Sequence, residues 1–143
     1  MKGKCLCAAV EFEITAPLPN LYQCYCTLCQ KQTGAGHNTA TLVDTQHFSW
    51  LKGEHNIVSY RKNTGFSSDY CNSCGSPVPN RLQGLVGMDK QWVPVGLLEN
   101  CPDVAVVLHL HLDSKAPWQS IPVAGRQFGT MPDIQTICNL LER

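Results

Sequence analysis

Seven cysteines in three short clusters constrain this chain more than any other feature. They are Cys5-Leu6-Cys7, Cys24-Tyr25-Cys26-Thr27-Leu28-Cys29 and Cys71-Asn72-Ser73-Cys74-Gly75. On a strand, residues two apart share a face, so a C-x-C pair presents two sulfurs together. A C-x-x-C pair in a tight turn also converges its sulfurs, and Gly75 can supply the positive φ that such turns use. Zinc accepts four thiolates tetrahedrally in a closed site. Seven thiolates exceed what one ion takes. Cys5, Cys7, Cys71 and Cys74 can form a closed site that pins the first strand to a later hairpin. Cys24, Cys26 and Cys29 then remain as three ligands with an open fourth position, the arrangement that catalytic zinc uses. On the residues alone two other readings stay open. Cys24 to Cys29 can contribute to the closed site instead, or the trio can be a second structural site completed by His37.

Zinc is a better reading than disulfides. With 143 residues, the chain buries about 70% of the surface its unfolded form exposes, so it does not need cross-links merely to fold. Nine cysteines is an odd number. No apolar segment follows the basic start Met1-Lys2-Gly3-Lys4, and Glu11 and Glu13 break the first apolar run, so no signal peptide is expected. No stretch approaches the length of a membrane helix. The expected location is cytoplasmic, where disulfides are rare. Eleven basic residues balance eleven acidic ones, which speaks against a general grip on nucleic acid or anionic lipid.

The apolar pattern is short and mostly of period two, and we find no repeat or linker, so a single domain spanning 1–143 is expected. Val10, Phe12 and Ile14 alternate with Glu11 and Glu13 as a half-buried strand ended by Pro17 and Pro19. Further strands are expected at 21–26, 39–43, 76–82, 92–98 and 104–112. A hairpin is expected from 57–62 and 66–70 around Asn63-Thr64-Gly65. Thr27 to Thr33 reads as a short helix stopped near Gly34. Pro132 to Glu142 reads as another, with Ile134, Ile137, Cys138 and Leu141 at helical spacing. The fold class is mostly β, largely antiparallel, with short helices.

The remaining cysteines carry no assigned role: Cys138 sits in the apolar stripe of the last helix, and Cys101 precedes Pro102 in a turn-like stretch. His109 and His111 lie two apart in an apolar strand and are expected to share a face. Such a pair can bind metal, but hydrogen-bonded strand histidines are commoner. Trp50, Trp92 and Trp118 are either core or surface anchors.

Taken together, the motifs resemble those of the glutathione-dependent formaldehyde-activating enzyme family, also called the centromere protein V family. Gly3-Lys4-Cys5-Leu6-Cys7 with Ala9-Val10-Glu11-Phe12 resembles its opening. The likeness continues through Cys24 to Gly34 and Cys71 to Gly75, and ends at His111-Leu112-Asp113-Ser114-Lys115-Ala116-Pro117-Trp118. The resemblance implies an Mss4-like β-tent stabilised by zinc. It also implies structural zinc on Cys5, Cys7, Cys71 and Cys74, and catalytic zinc on Cys24, Cys26 and Cys29. The implied activity is that of a carbon–sulfur lyase acting on a glutathione–aldehyde adduct such as S-hydroxymethylglutathione, with a small-molecule thiol and an aldehyde as partners. The alternative is a non-catalytic zinc-binding module for a protein partner. Lys31, Lys115 and His37 are the candidates for anchoring carboxylates or moving a proton.

Overall fold

A computed structural model describes residues 1–82 and 87–143. In chain order its strands are β1 (Lys2–Lys4), β2 (Glu11–Ile14), β3 (Leu21–Cys24), β4 (Asn38–Asp44), β5 (Phe48–Lys52), β6 (Ile57–Arg61), β7 (Ser67–Cys71), β8 (Pro77–Val78), β9 (Asn80–Arg81), β10 (Lys90–Pro94), β11 (Val106–Leu110) and β12 (Arg126–Gln127). The helices among the described residues are α1 (Thr27–Thr33) and α2 (Ile134–Leu141). The mostly β expectation is borne out. The chain falls into two compact units, one comprising residues 1–18 and 42–102, the other residues 19–41 and 103–143.

In the first unit, β2 pairs antiparallel with β1 on one side and β5 on the other. Alternation along β2 turns Phe12 and Ile14 inward, both fully buried. Phe12 stacks on Phe48 at 5.4 Å and meets Trp50 edge-on at 6.1 Å. Gly3 stands opposite Phe12 in the register, and a Cβ there would lie 2.3 Å from Phe12 Cζ. That ring leaves room for glycine alone. The expected hairpin forms between β6 and β7, closed at Gly65 with φ 90°, and β8 adds to β7. The strand expected over 76–82 is split into β8 and β9 around Pro79, which has no N–H to give a ladder. The one expected over 92–98 ends at Pro94 in a 3₁₀ turn.

In the second unit the order is β12-β11-β3-β4. β3 and β4 are antiparallel, whereas β11 runs parallel to both β3 and β12, an exception to the largely antiparallel pattern. Buried Leu108 and Leu110 of β11 belong to the same core as Ile137, Cys138 and Leu141 of α2. Asp133 caps α2 by accepting the Thr136 N–H at 2.9 Å. The strand expected to reach 26 stops at Cys24, because Cys26 is already the N-cap of α1. Gly34, with φ 68°, ends α1 as expected and donates its N–H to Gln30 O.

Candidate metal centres

The first centre is built from two similar turns in the first unit. After β1 the chain curls around the Cys5 sulfur. Cys5 donates its N–H to Val10 O, Ala8 returns an N–H to Cys5 O, and Val10 N–H points at Cys5 Sγ from 3.3 Å. Ala8 takes a left-handed φ of 58° to make this turn. At the end of β7 the pattern recurs. Cys71 N–H reaches Ser76 O, Gly75 N–H reaches Cys71 O, and Gly75 adopts φ 75°. Backbone N–H groups directed at sulfur suit a thiolate.

These turns bring Cys5, Cys7, Cys71 and Cys74 together, with their four sulfurs mutually within 4.8 Å. Cys5 Sγ lies 3.7 Å from Cys7 Sγ, and Cys7 Sγ lies 3.9 Å from Cys71 Sγ. Sulfurs held 2.3 Å from a tetrahedral centre stand about 3.8 Å apart, so this spacing fits zinc. Cys5 and Cys71 are buried, Cys74 is half-buried and Cys7 is exposed.

The second centre lies wholly in the second unit. Cys24 ends β3, Cys26 caps α1 and Cys29 sits in its first turn. Cys26 Sγ accepts the Cys29 N–H at 3.4 Å. The three sulfurs also lie mutually within 4.8 Å, and among the described residues no fourth histidine, cysteine or carboxylate joins them. An all-sulfur donor set fits zinc here too, with one position left to a ligand. His37, the candidate fourth ligand, is engaged elsewhere: its Nε2 lies 2.9 Å from Gln23 Nε2 and its ring packs 5.1 Å from that of Tyr25.

Both clusters concentrate negative charge on one sulfur when only protons compensate it. Hydrogen bonds from Cys24 and Cys29 hold Cys26 far below the ordinary thiol value, against the opposing effect of its burial. Cys24 is pushed up to about 12, chiefly by its hydrogen bond to Cys26, and Cys29 is raised by its bonds to Cys24 and Cys26. In the four-cysteine cluster the Ser76 hydroxyl and N–H lower Cys74 to about 6. For Cys7 the Ala9 N–H works downward, but burial and the sulfurs of Cys74, Cys5 and Cys71 outweigh it and raise the thiol to about 11. A cation removes this competition by letting every sulfur ionise.

Around the trio the second unit carries a polar network. The Tyr25 hydroxyl lies 2.8 Å from Gln23 Oε1 and 3.1 Å from His109 Nδ1. His109, fully buried, places Nε2 2.9 Å from Ala124 O. A carbonyl only accepts, so His109 Nε2 carries a proton and donates it to Ala124 O, while the single Tyr25 hydroxyl proton goes to Gln23 Oε1. The expectation that His109 and His111 share a face is overturned. β11 ends at Leu110, and His111 turns out of the strand with φ 60°. Lys31 and Lys115 are both exposed. Cys138 is buried and Cys101 exposed, as read from the sequence. Trp92 is buried, Trp50 half-buried and Trp118 71% exposed.

Two residues near the trio escaped the sequence reading. Gln30 Nε2 donates to Tyr25 O at 2.7 Å and Ser114 O at 3.0 Å, tying α1 to the segment after β11. Asn38, at the start of β4, donates from Nδ2 to Cys29 Sγ at 3.1 Å. A cleft of about 360 Å³ in the first unit, bounded by Phe48, Trp50, Arg61 and Gln91, contains none of the clustered cysteines.

The fold and sites define a mostly β protein with two groups of cysteines that can hold metal ions. The statistical model of one family, described as "Glutathione-dependent formaldehyde-activating enzyme", matches residues 1–114. The chain belongs to that family. A crystal structure of a Rhodobacter sphaeroides protein, determined as a structural-genomics target, is similar with a TM-score of 0.57 and 24% identity. The likeness covers 75% of this chain and 100% of that one, and is a likeness of fold. Among the described residues no helix is long and apolar enough to cross a membrane.

Proposed function

We propose that the chain is a zinc-dependent carbon–sulfur lyase-type enzyme acting on a thiol–aldehyde adduct, with glutathione as the thiol and formaldehyde as the aldehyde. Membership of the family supports a glutathione-dependent, formaldehyde-activating role. The observation that carries the finer reading is the trio, three convergent sulfurs with no fourth protein ligand among the described residues. In this reading Cys5, Cys7, Cys71 and Cys74 hold a structural ion, and Cys24, Cys26 and Cys29 a catalytic one. A zinc ion held by the trio supplies stabilisation of a thiol's conjugate base near neutral pH.

The protein's own groups do the rest. β3 and α1 fix the three sulfurs, and Gln30 anchors the start of α1. Burial, against the raising effect of Gln119, lowers His37 below its ordinary value and favours its neutral imidazole form. Lys31 and Lys115 are free to meet the carboxylates of a peptide thiol in water. In the addition direction a carbon–sulfur bond forms and the carbonyl π pair moves to oxygen. The thiol's proton ends on that oxygen, giving the hydroxymethyl thioether. The lyase direction is the exact reverse, and neither needs a further reactant. A reducing, cytoplasmic setting belongs to this reading, since it depends on free thiols.

Turnover of S-hydroxymethylglutathione, followed by formaldehyde release, tests the proposal. The parent should exceed the uncatalysed rate. Cys26→Ala should lose at least about a hundredfold while keeping its far-ultraviolet circular dichroism. Equal rates in the two proteins would refute the enzyme. The exposure of Trp118 favours a second reading, a non-catalytic zinc-binding module whose partner docks on that ring. Zinc binding with no response to thiols, together with a partner lost in Trp118→Ala, would establish it.

A further inference from the structure

The Asn38 amide is buried, with 6% of the residue exposed, and it contacts a sulfur of the trio. Its position follows from the sheet: Asn38 is the register partner of Cys24 in the antiparallel β3–β4 ladder, and directly opposed residues project to the same face. Nδ2 lies 3.1 Å from Cys29 Sγ, while Oδ1 is buried with no hydrogen-bond partner among the described residues. An amide placed for packing or for a protein network would not leave its acceptor unmatched in the interior, which is costly. A leucine has the same number of side-chain heavy atoms without that penalty. The donor end therefore explains why the residue is polar.

Resting on the reading of the trio as a zinc site, we propose that Asn38 is a positioning residue of that centre. Its N–H draws charge from the Cys29 thiolate and fixes the direction of that sulfur. Three thiolates around a divalent cation leave a net negative centre, so a donor on one of them makes the metal a better acceptor for an incoming sulfur. The geometry also assigns the amide orientation. A thiolate only accepts, so Nδ2 and not Oδ1 faces Cys29.

The test uses the full chain with Asn38→Asp and Asn38→Leu, loaded with zinc for affinity and with cobalt for spectroscopy. Aspartate keeps the shape but turns an acceptor toward the sulfur, and leucine keeps the branching at Cγ without the donor. Both should weaken retention of the second ion by ~10- to 100-fold, the range for lost outer-shell partners. Both should also move its sulfur-to-cobalt charge-transfer band to lower energy, while the four-cysteine band stays fixed as an internal reference. A role in packing alone would leave that band in place. If either variant fails to fold, the other decides. Folded variants that hold the second ion within twofold of the parent, with an unmoved band, overturn the proposal but leave the trio as a metal site. A parent that never binds a second ion overturns both.

Discussion

The two cysteine clusters use similar local chemistry to different ends. In the first unit, two turns of similar backbone hydrogen bonding bring four thiols into one cage from residues up to 69 positions apart in sequence, Cys5 to Cys74. In the second, three thiols come from one stretch of six residues, where a strand ends and a helix begins. The difference is one of loop closure. A metal in the long-range cage removes a large conformational freedom from the unfolded chain, whereas a metal on the local trio removes little. Stability should therefore depend on the first cluster and ligand chemistry on the second.

The sharpest way to break this comparison is Cys71→Ala. Structural zinc contributes up to about 10 kcal/mol to folding in small metal-dependent domains, so the variant should show the largest fall in unfolding free energy and melting temperature of the set. A normal melt would remove the contrast. Phe12→Ala comes next, with a cost of about 3–5 kcal/mol in denaturant unfolding, because the ring is fully buried against Phe48 and Trp50. It should loosen the four-cysteine zinc and leave the trio's affinity unchanged, as measured by chelator competition. Cys24→Ala should abolish catalysis and the second ion while changing unfolding free energy by only about 1 kcal/mol, the size of an ordinary substitution.

The smallest effect is electrostatic. Hydrogen bonds from the Thr136 hydroxyl and N–H lower Asp133 below the ordinary carboxylate value. A carboxyl depressed in the folded state stabilises the protein above its unfolded value, and that contribution disappears as pH falls through the folded one. Asp133→Asn keeps a capable helix cap but cannot titrate. Its urea midpoint should match the parent's least well near neutrality and converge with it below about pH 4. Taking the difference between the two proteins at each pH cancels the zinc both lose in acid.

Much of this was legible before any coordinates. The alternation of β2, the limits of α1 set by Gly34, and the grouping of cysteines by spacing all rest on local rules, and local rules are what a sequence carries. β1 is too short to announce itself with three residues. β5 was missed although Phe48 and Trp50 alternate, because the value of that alternation comes from Phe12, far away in sequence. The parallel pairing of β11 with β3 depends on a partner more than eighty residues distant. His111 broke its strand pattern through a backbone angle that no periodicity predicts. Asn38 is the instructive omission at the site. A lone asparagine in a strand has no motif, and only its register opposite Cys24 places it on Cys29.

The most direct test of the account is zinc per chain under graded chelator competition, measured on the parent and on Cys26→Ala. The account predicts two ions in the parent, the first removed easily together with thiol–aldehyde turnover and the second only as the fold is lost. Cys26→Ala should hold just the resistant ion. Two ions leaving together, or a Cys26→Ala protein that still carries two, would contradict it.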